Sequence, residues 1–354
     1  LYLDTIMGYF RDTIEQMAGY TPGFQPKSAD VVKLNTNENP YPPSPKAIEA
    51  VQNLGAEKLR RYPEPDADTF RIAAGSVLGV QPDNIICTNG GDDLLMVCFR
   101  ACCDANRPVA FAQPTYSLYP VLAQLRGCPV VEVERDENGS LDKLAEVNAA
   151  LTIVCNPNAP TCDFISVDAL GTLAEKLGGV LLIDEAYVDF ADDNAILLIR
   201  DYDNIIILRS MSKGYSLAGM RFGFGVGAAS LIGGLMKAKD SYPVDAAAIA
   251  AATAAIQDQP YLKANVEKIK SERTRVTKQL RAMGADVPDS QTNFVLARCV
   301  DFNAKDVFDT LVEQNIFVRY FALPGLENKL RITIGTPEQN DRLLTVLGKI
   351  LDEG

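Results

Sequence analysis

Histidine is absent from the 354-residue chain, which excludes histidine-dependent catalytic triads, histidine-ligated zinc and imidazole acid–base chemistry. Proton transfer must then fall to lysine, carboxylate, tyrosine or cysteine. No apolar run approaches the ~18 residues of a membrane-spanning helix; the longest apolar stretches are strand-length. Basic charge is in deficit as well. A formal net charge of −12 and a pI near 4.7 argue against nucleic acid or an acidic membrane surface as the main partner. Any anionic ligand must be bound by locally placed arginines.

Other absences narrow the setting. The cysteines at positions 87, 98, 102, 103, 128, 155, 162 and 299 form no CxxC pair, and their mostly apolar neighbourhoods read as those of buried small hydrophobes, not of ligands. The N-terminal stretch LYLDTIMGYFRDTIEQM lacks the basic start and small-residue cleavage site of a signal peptide. The expectation is a cytoplasmic protein with reduced thiols. No repeat, low-complexity tract or long flexible linker interrupts the chain.

From about Asn84 to Gly227, short apolar segments (NIICT, PVAFA, PVVEVE, LTIVCN, GVLLID, NIIILR, FGFGVG) alternate with helical stretches. Such spacing predicts an α/β fold with a largely parallel sheet and helices on both faces. Ligands of such sheets bind beyond the carboxyl ends of the strands, where Asn89 to Asp93, Asn156, Asp184 and Ser210 to Lys213 would converge. After Pro243, VDAAAIAAATAAIQ and the long amphipathic PYLKANVEKIKSERTRVTKQLRAMG read as helices, the second bridging two domains. Strand-like NFVLAR, IFVRY and KLRITIG with two helices predict a small α+β domain. The glycines of FGFGVGAASLIGG do not form GxGxxG, which excludes a dinucleotide site there.

The segment SMSKGYSLAGMRFG sets Lys213 among small hydroxylated residues, with Arg221 eight positions later. A lysine amine can condense with the aldehyde of pyridoxal phosphate, while Ser210, Ser212 and Arg221 hold the phosphate. Asp184 ends the run GVLLID, where a carboxylate could keep a pyridine nitrogen protonated. Gly90 and Gly91 precede a predicted helix whose first backbone amides can cradle a phosphate. Asp92 and Asp93 suggest a metal pair at first sight, but acidic residues at a helix start are favoured by its dipole alone, and no metal is expected.

These strings, with KLNTNENPYPPSP, RRYPEPDADTFR, QPTYSLYP, NPNAPTC and LRITIGTPEQND in the same order, resemble the fold type I pyridoxal-phosphate aminotransferases. Within them the likeness is to the histidinol-phosphate aminotransferases. The resemblance implies that Tyr187 hydrogen-bonds the cofactor's phenolic oxygen, that Tyr116 stacks on its ring, and that Asp92 and Asn158 belong to the cofactor site. It implies that Tyr62 crosses a homodimer interface to the neighbouring cofactor phosphate. Arg331 and Arg319 would bind the substrate's anionic group, and Tyr20 and Asn37 would lie in an arm closing over it. NPNAPTC departs from the commoner NPNNPTG at Ala159 and Cys162; Ala159 cannot donate the expected amide hydrogen bond, leaving Tyr187, Asn158 or water to compensate. The implied organisation is a large cofactor-binding domain (46–265) and a small domain with N-terminal arm (1–45 and 266–354). The implied reaction transfers the amino group of L-histidinol phosphate to 2-oxoglutarate. An aromatic-amino-acid aminotransferase, a phosphothreonine decarboxylase and a non-catalytic binding protein on the same scaffold remain open alternatives.

Overall fold

The computed structural model describes residues 9–20, 23–26, 30–136 and 141–352. Residues 1–8, on which part of the leader expectation rests, and several positions of the predicted N-terminal arm lie outside them. A two-residue strand β1 (Val32–Lys33) precedes seven strands, β2 (Ile85–Thr88), β3 (Val109–Gln113), β4 (Val130–Glu134), β5 (Leu151–Cys155), β6 (Val180–Asp184), β7 (Ile205–Ser210) and β8 (Gly223–Gly227). These seven form one sheet in the order β2-β8-β7-β6-β5-β3-β4. Each predicted strand of this region is present.

Alternation within these strands builds a two-sided core. Ile183 and Ile207 enter one buried cluster with Phe70, Phe222 and Ala252, while their neighbours Leu182 and Ile206 enter another with Phe99, Phe111 and Tyr119. Successive side chains of a strand point to opposite faces, so apolar runs covered on both sides are required. One strand departs from the parallel arrangement. β8 pairs antiparallel with both β2 and β7, because the β7–β8 connection is the Lys213 loop, with one short 3₁₀ turn (Ala218–Met220) in place of a crossover helix.

The second sheet is small: β9 (Phe294–Arg298), β11 (Arg319–Tyr320) and β12 (Lys329–Thr333) pair antiparallel in the order β11-β12-β9. The segment IFVRY, expected as one strand, divides at buried Val318. Its first half, β10 (Ile316–Phe317), pairs in parallel with β1, and its second half is β11. The N-terminal segment is thereby stitched to the small sheet.

Two consecutive helices link the layers. Asp245 caps the alanine-rich helix Ala246–Gln257, its Oδ1 accepting from the N–H groups of Ala247 and Ala248 at 2.8 Å. The following helix, Gln259–Ala282, buries Leu262, Val266, Ile269, Val276 and Leu280 at helical spacing against the small sheet. Arg273 on this helix donates to Phe190 O (3.1 Å) and Thr292 O (2.7 Å), tying it to both parts of the chain. No helix among the described residues is long and apolar enough to cross a membrane.

The start of β6 passes so close to the residues before β5 that Gly179 has no room for a side chain. A Cβ there would lie 2.2 Å from Ala149 O and 2.7 Å from Ala150 O. Gly179→Ala should therefore force the two chains apart and destabilise the fold by about 1–3 kcal/mol, read as a lowered midpoint of chemical denaturation. An unchanged midpoint would mean that this contact is not rigid.

Candidate active site

The carboxyl ends of the sheet open into a cleft of about 1420 Å³. Asp184 is the last residue of β6 and Ser210 the last of β7, so strand length alone carries both to its floor. Lys213, Ser212, Gly91, Asp92, Tyr116, Tyr187, Arg221, Tyr20, Asn37, Arg319 and Arg331 line the same cleft. Three of the expected residues do not line it.

Gly90 sits behind the cleft wall with φ +86°, and a Cβ on it would lie 2.8 Å from Arg221 Nη2. It lets the guanidinium pack against the start of the helix Gly91–Cys102. Asn158 is fully buried beside the cleft and committed elsewhere. Its amide donates to Pro114 O (3.0 Å) and Thr161 Oγ1 (2.6 Å), and its Oδ1 accepts from the Thr115 hydroxyl (2.8 Å). Tyr62 is 82% exposed and stacks on Tyr242, ring centroids 4.6 Å apart.

Lys213 is half-buried, its Nζ donating to Thr36 O at 3.2 Å and lying 5.7 Å from the centroid of the Tyr187 ring. Burial first, then the positive charge of Arg331, lowers its pKa to about 8. Asp184 is 4% exposed; its Oδ2 accepts from the Tyr119 hydroxyl at 2.6 Å and its Oδ1 from the Ala186 N–H at 3.1 Å. Burial raises its pKa to about 6. The Tyr187 hydroxyl accepts from Asn37 Nδ2 at 2.9 Å, and burial moves its pKa up to about 12.

Two cationic positions mark the cleft. Arg221, in a left-handed conformation (φ +51°), reaches Asp92 at 3.5 Å beside the first turn of the Gly91–Cys102 helix. Asp92 also accepts from the Tyr116 hydroxyl at 3.2 Å, so both acidic oxygens have partners in the protein. The second position holds Arg331 and Arg319, directly opposite each other on β12 and β11. Arg331 donates from Nη2 to Asn35 O at 2.8 Å, and its guanidinium lies 5.2 Å from the centroid of the Phe294 ring and 5.4 Å from that of Phe321. Its buried Nε has no hydrogen-bond partner among the described residues. A buried charged donor without a partner is costly unless a ligand completes it.

These residues fit pyridoxal phosphate. An amine of lowered pKa, a buried strand-end carboxylate and a guanidinium beside a helix N-terminus are the donor set that an aldehyde, a pyridine nitrogen and a phosphate require. Sequence reasoning does not single out Tyr119, Thr36 or Asn39. Tyr119 lies one helical turn after Tyr116, which is the only signal pointing to it. Asn39 Nδ2 donates to Lys213 O (3.1 Å) and Gly214 O (3.0 Å), fixing the lysine's backbone from 174 residues away.

A parallel-sheet fold with a lysine, an aspartate and paired arginines in one strand-end cleft defines a group-transfer enzyme of the aminotransferase type. The chain belongs to the aminotransferase class I and II family, whose pattern matches residues 29–347. It is 48% identical over 346 residues to histidinol-phosphate aminotransferase 1 of Trichormus variabilis, covering 97% of this chain and 99% of that protein. It is 41% identical over 342 residues to histidinol-phosphate aminotransferase of Citrifermentans bemidjiense, covering 96% and 98%. Among solved structures, histidinol-phosphate aminotransferase of Sinorhizobium meliloti in complex with pyridoxal-5'-phosphate superposes with a TM-score of 0.88 at 25% identity, over 98% of each chain.

The lowered Lys213 pKa has a consequence for stability. Between about pH 8 and the ordinary value of 10.5, the unfolded chain holds a proton that the folded chain has lost, so stability rises with pH across that window. Below about pH 8 the penalty for the buried charge is present in full. Lys213→Met should raise the thermal midpoint of cofactor-free protein at pH 7, with the gain shrinking towards pH 10. A gain independent of pH would attribute it to packing instead of charge.

Proposed function

We propose that this chain is a pyridoxal 5'-phosphate-dependent aminotransferase that converts L-histidinol phosphate and 2-oxoglutarate to imidazole acetol phosphate and L-glutamate, in histidine biosynthesis. The observation that carries this reading is the convergence of Lys213, Asp184, Arg221 and the incompletely bonded Arg331 in one cleft. Relatives bearing the histidinol-phosphate name, up to 48% identical over nearly the whole chain, support the donor.

When bound, the cofactor supplies an aldehyde that carries the amino group and an electron-poor ring that takes up charge from the substrate carbon. The protein's part is binding, orientation and proton movement. Lys213, with its pKa near 8, gains and loses a proton close to neutral pH and so suits the transfer of one at the substrate carbon. Asp184, fixed by Tyr119 and the Ala186 N–H, presents its carboxylate to a protonated ring nitrogen. The Tyr187 hydroxyl would hold the cofactor's phenolic oxygen, and Tyr116 its ring. Ser210, Ser212, Arg221 and the amides of Gly91 and Asp92 take the phosphate. Arg331, backed by Arg319, takes the donor's phosphate in one half-reaction and the acceptor's carboxylate in the other, since a guanidinium fork suits both anions. Tyr20 and Asn37 close this end of the cleft.

The same reading includes a cytoplasmic homodimer in which Tyr62, turned to the surface of its own chain, reaches the partner's phosphate site. It also divides the chain into a large unit (46–265) and a small unit (1–45 and 266–354), supported by the separate core around the small sheet.

Borohydride reduction of the purified holoenzyme tests the central assignment: the visible absorbance should disappear and peptide mass spectrometry should find the adduct on Lys213. Single-turnover half-reactions with histidinol phosphate, phenylalanine and phosphothreonine then identify the donor. An adduct on another lysine, or preference for another donor, would overturn the corresponding half of the proposal.

Arg331→Gln should weaken histidinol phosphate and 2-oxoglutarate together, by roughly tenfold to a few hundredfold in kcat/KM, the range expected for a lost charge-assisted hydrogen bond. Arg331→Lys should recover only part, because an ammonium lacks the two-pronged fork. Impairment of one half-reaction alone would transfer the other anion to Arg319.

A further inference from the structure

Asn37 is held more tightly than a residue that only closes over a substrate requires. It is 1% exposed and adopts a left-handed conformation (φ 55°), a region where asparagine is among the few residues tolerated. Its backbone N–H donates to Thr333 Oγ1 (3.1 Å), and its carbonyl accepts from Asn293 Nδ2 (3.0 Å). Its side-chain Oδ1 accepts from the Thr333 hydroxyl at 3.0 Å. In this placement the amide oxygen accepts from Thr333, and the NH₂ is presented to Tyr187, 2.9 Å away.

The Tyr187 oxygen carries one proton, and because it accepts from Asn37 that proton must point elsewhere. The surroundings leave one direction. The tyrosine ring packs edge-on against Phe294, centroids 5.1 Å apart, inside an apolar cluster that includes Ala159 and Cys162. Ala159 has no side-chain polar atom to offer. Among the described residues, Asn37 is the side chain hydrogen-bonded to the phenol, and the open side is the cleft that holds Lys213.

We infer that Asn37 is a positioning residue for the transamination chemistry: its amide, locked by Thr333, holds the Tyr187 hydroxyl as a hydrogen-bond donor into the cleft beside Lys213. The inference rests on the pyridoxal-phosphate reading of the site. Thr333 lies two residues beyond Arg331 on β12 and so shares its face of the strand. The strand that carries the anion-binding guanidinium thus also sets the direction of the phenol.

The test is a spectrophotometric pH titration of the cofactor-loaded protein as wild type, Asn37→Gly, Tyr187→Phe and the double variant. Glycine keeps the left-handed backbone while removing the amide, and Thr333→Val removes the lock while leaving Asn37 in place. Loss of an aligned donor to the cofactor's oxygen should raise the titration midpoint of the visible band by about half a unit to one unit in Asn37→Gly, the size of one hydrogen bond. Thr333→Val should move it in the same direction by less. Turnover in Asn37→Gly should fall roughly three- to tenfold. If Asn37 acts through the phenol, the double variant should titrate like Tyr187→Phe alone. A wild-type midpoint in Asn37→Gly, or full additivity in the double variant, would overturn the inference while leaving Lys213 assigned. A wild-type protein with no borohydride-sensitive band overturns both readings together.

Discussion

The structure depends on keeping one amine partly out of water between two cationic positions. Lys213 follows the end of β7, and the guanidiniums of Arg331 and Arg221 lower its proton affinity in addition to burial. Left to solvent, a lysine would stay protonated far above neutral pH. Holding its pKa near 8 requires walls of low dielectric and a backbone that cannot recoil. Thr36 O accepts from the amine. The cleft is therefore electrostatically strained before any anion arrives, and an anion at either arginine relieves part of the strain.

The segment from Asn35 to Asn39 bears much of this constraint. Asn35 O receives Arg331, Thr36 O receives Lys213, Asn37 donates to Tyr187, and Asn39 secures the backbone of Lys213 and Gly214. Four of these five consecutive residues thus touch Arg331, the phenol, or the amine and its backbone. The segment is anchored by pairing of β1 with β10 and by Thr333 on β12. The site is complete only when the N-terminal segment, the large sheet and the small sheet are docked together, because partners 150 to 296 residues apart meet there.

That separation explains what the sequence could and could not disclose. Asp184, Ser210 and Lys213 were legible because each ends or follows a largely apolar strand run, and strand geometry delivers such residues to one edge of the sheet. The strands of the large sheet were legible for the same reason. The direction of β8 was not, since an apolar run has no polarity and only the missing crossover helix reverses it. The division of IFVRY was hidden because each half answers to a different, distant strand. Tyr119 reads as an ordinary core aromatic until its hydroxyl is seen against Asp184. Asn158 sits in a motif that suggests contact with a ligand, but its amide is consumed by Thr161 nearby and by Pro114 and Thr115, 44 and 43 residues away, and partners that distant are not visible in the motif.

The overall acidity of the chain is compatible with the anion sites proposed for it because the two act over different distances. A net charge of −12 is spread over an aqueous surface where screening reduces it within about 10 Å. Arg331 is half-buried, its cation flanked by Phe294 and Phe321 and its buried Nε without a partner among the described residues. At such a point the local donors outweigh the distant field. Arg221 is more exposed and shares its charge with Asp92, so its contribution depends on the backbone amides at the start of the adjacent helix. Under the proposed reading the two ends of the cleft would bind anions by different means: one through a guanidinium whose Nε lacks a partner among the described residues, the other through a helix terminus supported by a guanidinium. A substrate group that can be exchanged between phosphate and carboxylate belongs at the first, where the recognising fork is common to both anions. A phosphate that must stay in place through the proposed reaction would belong at the second, where several fixed amides could hold it at once.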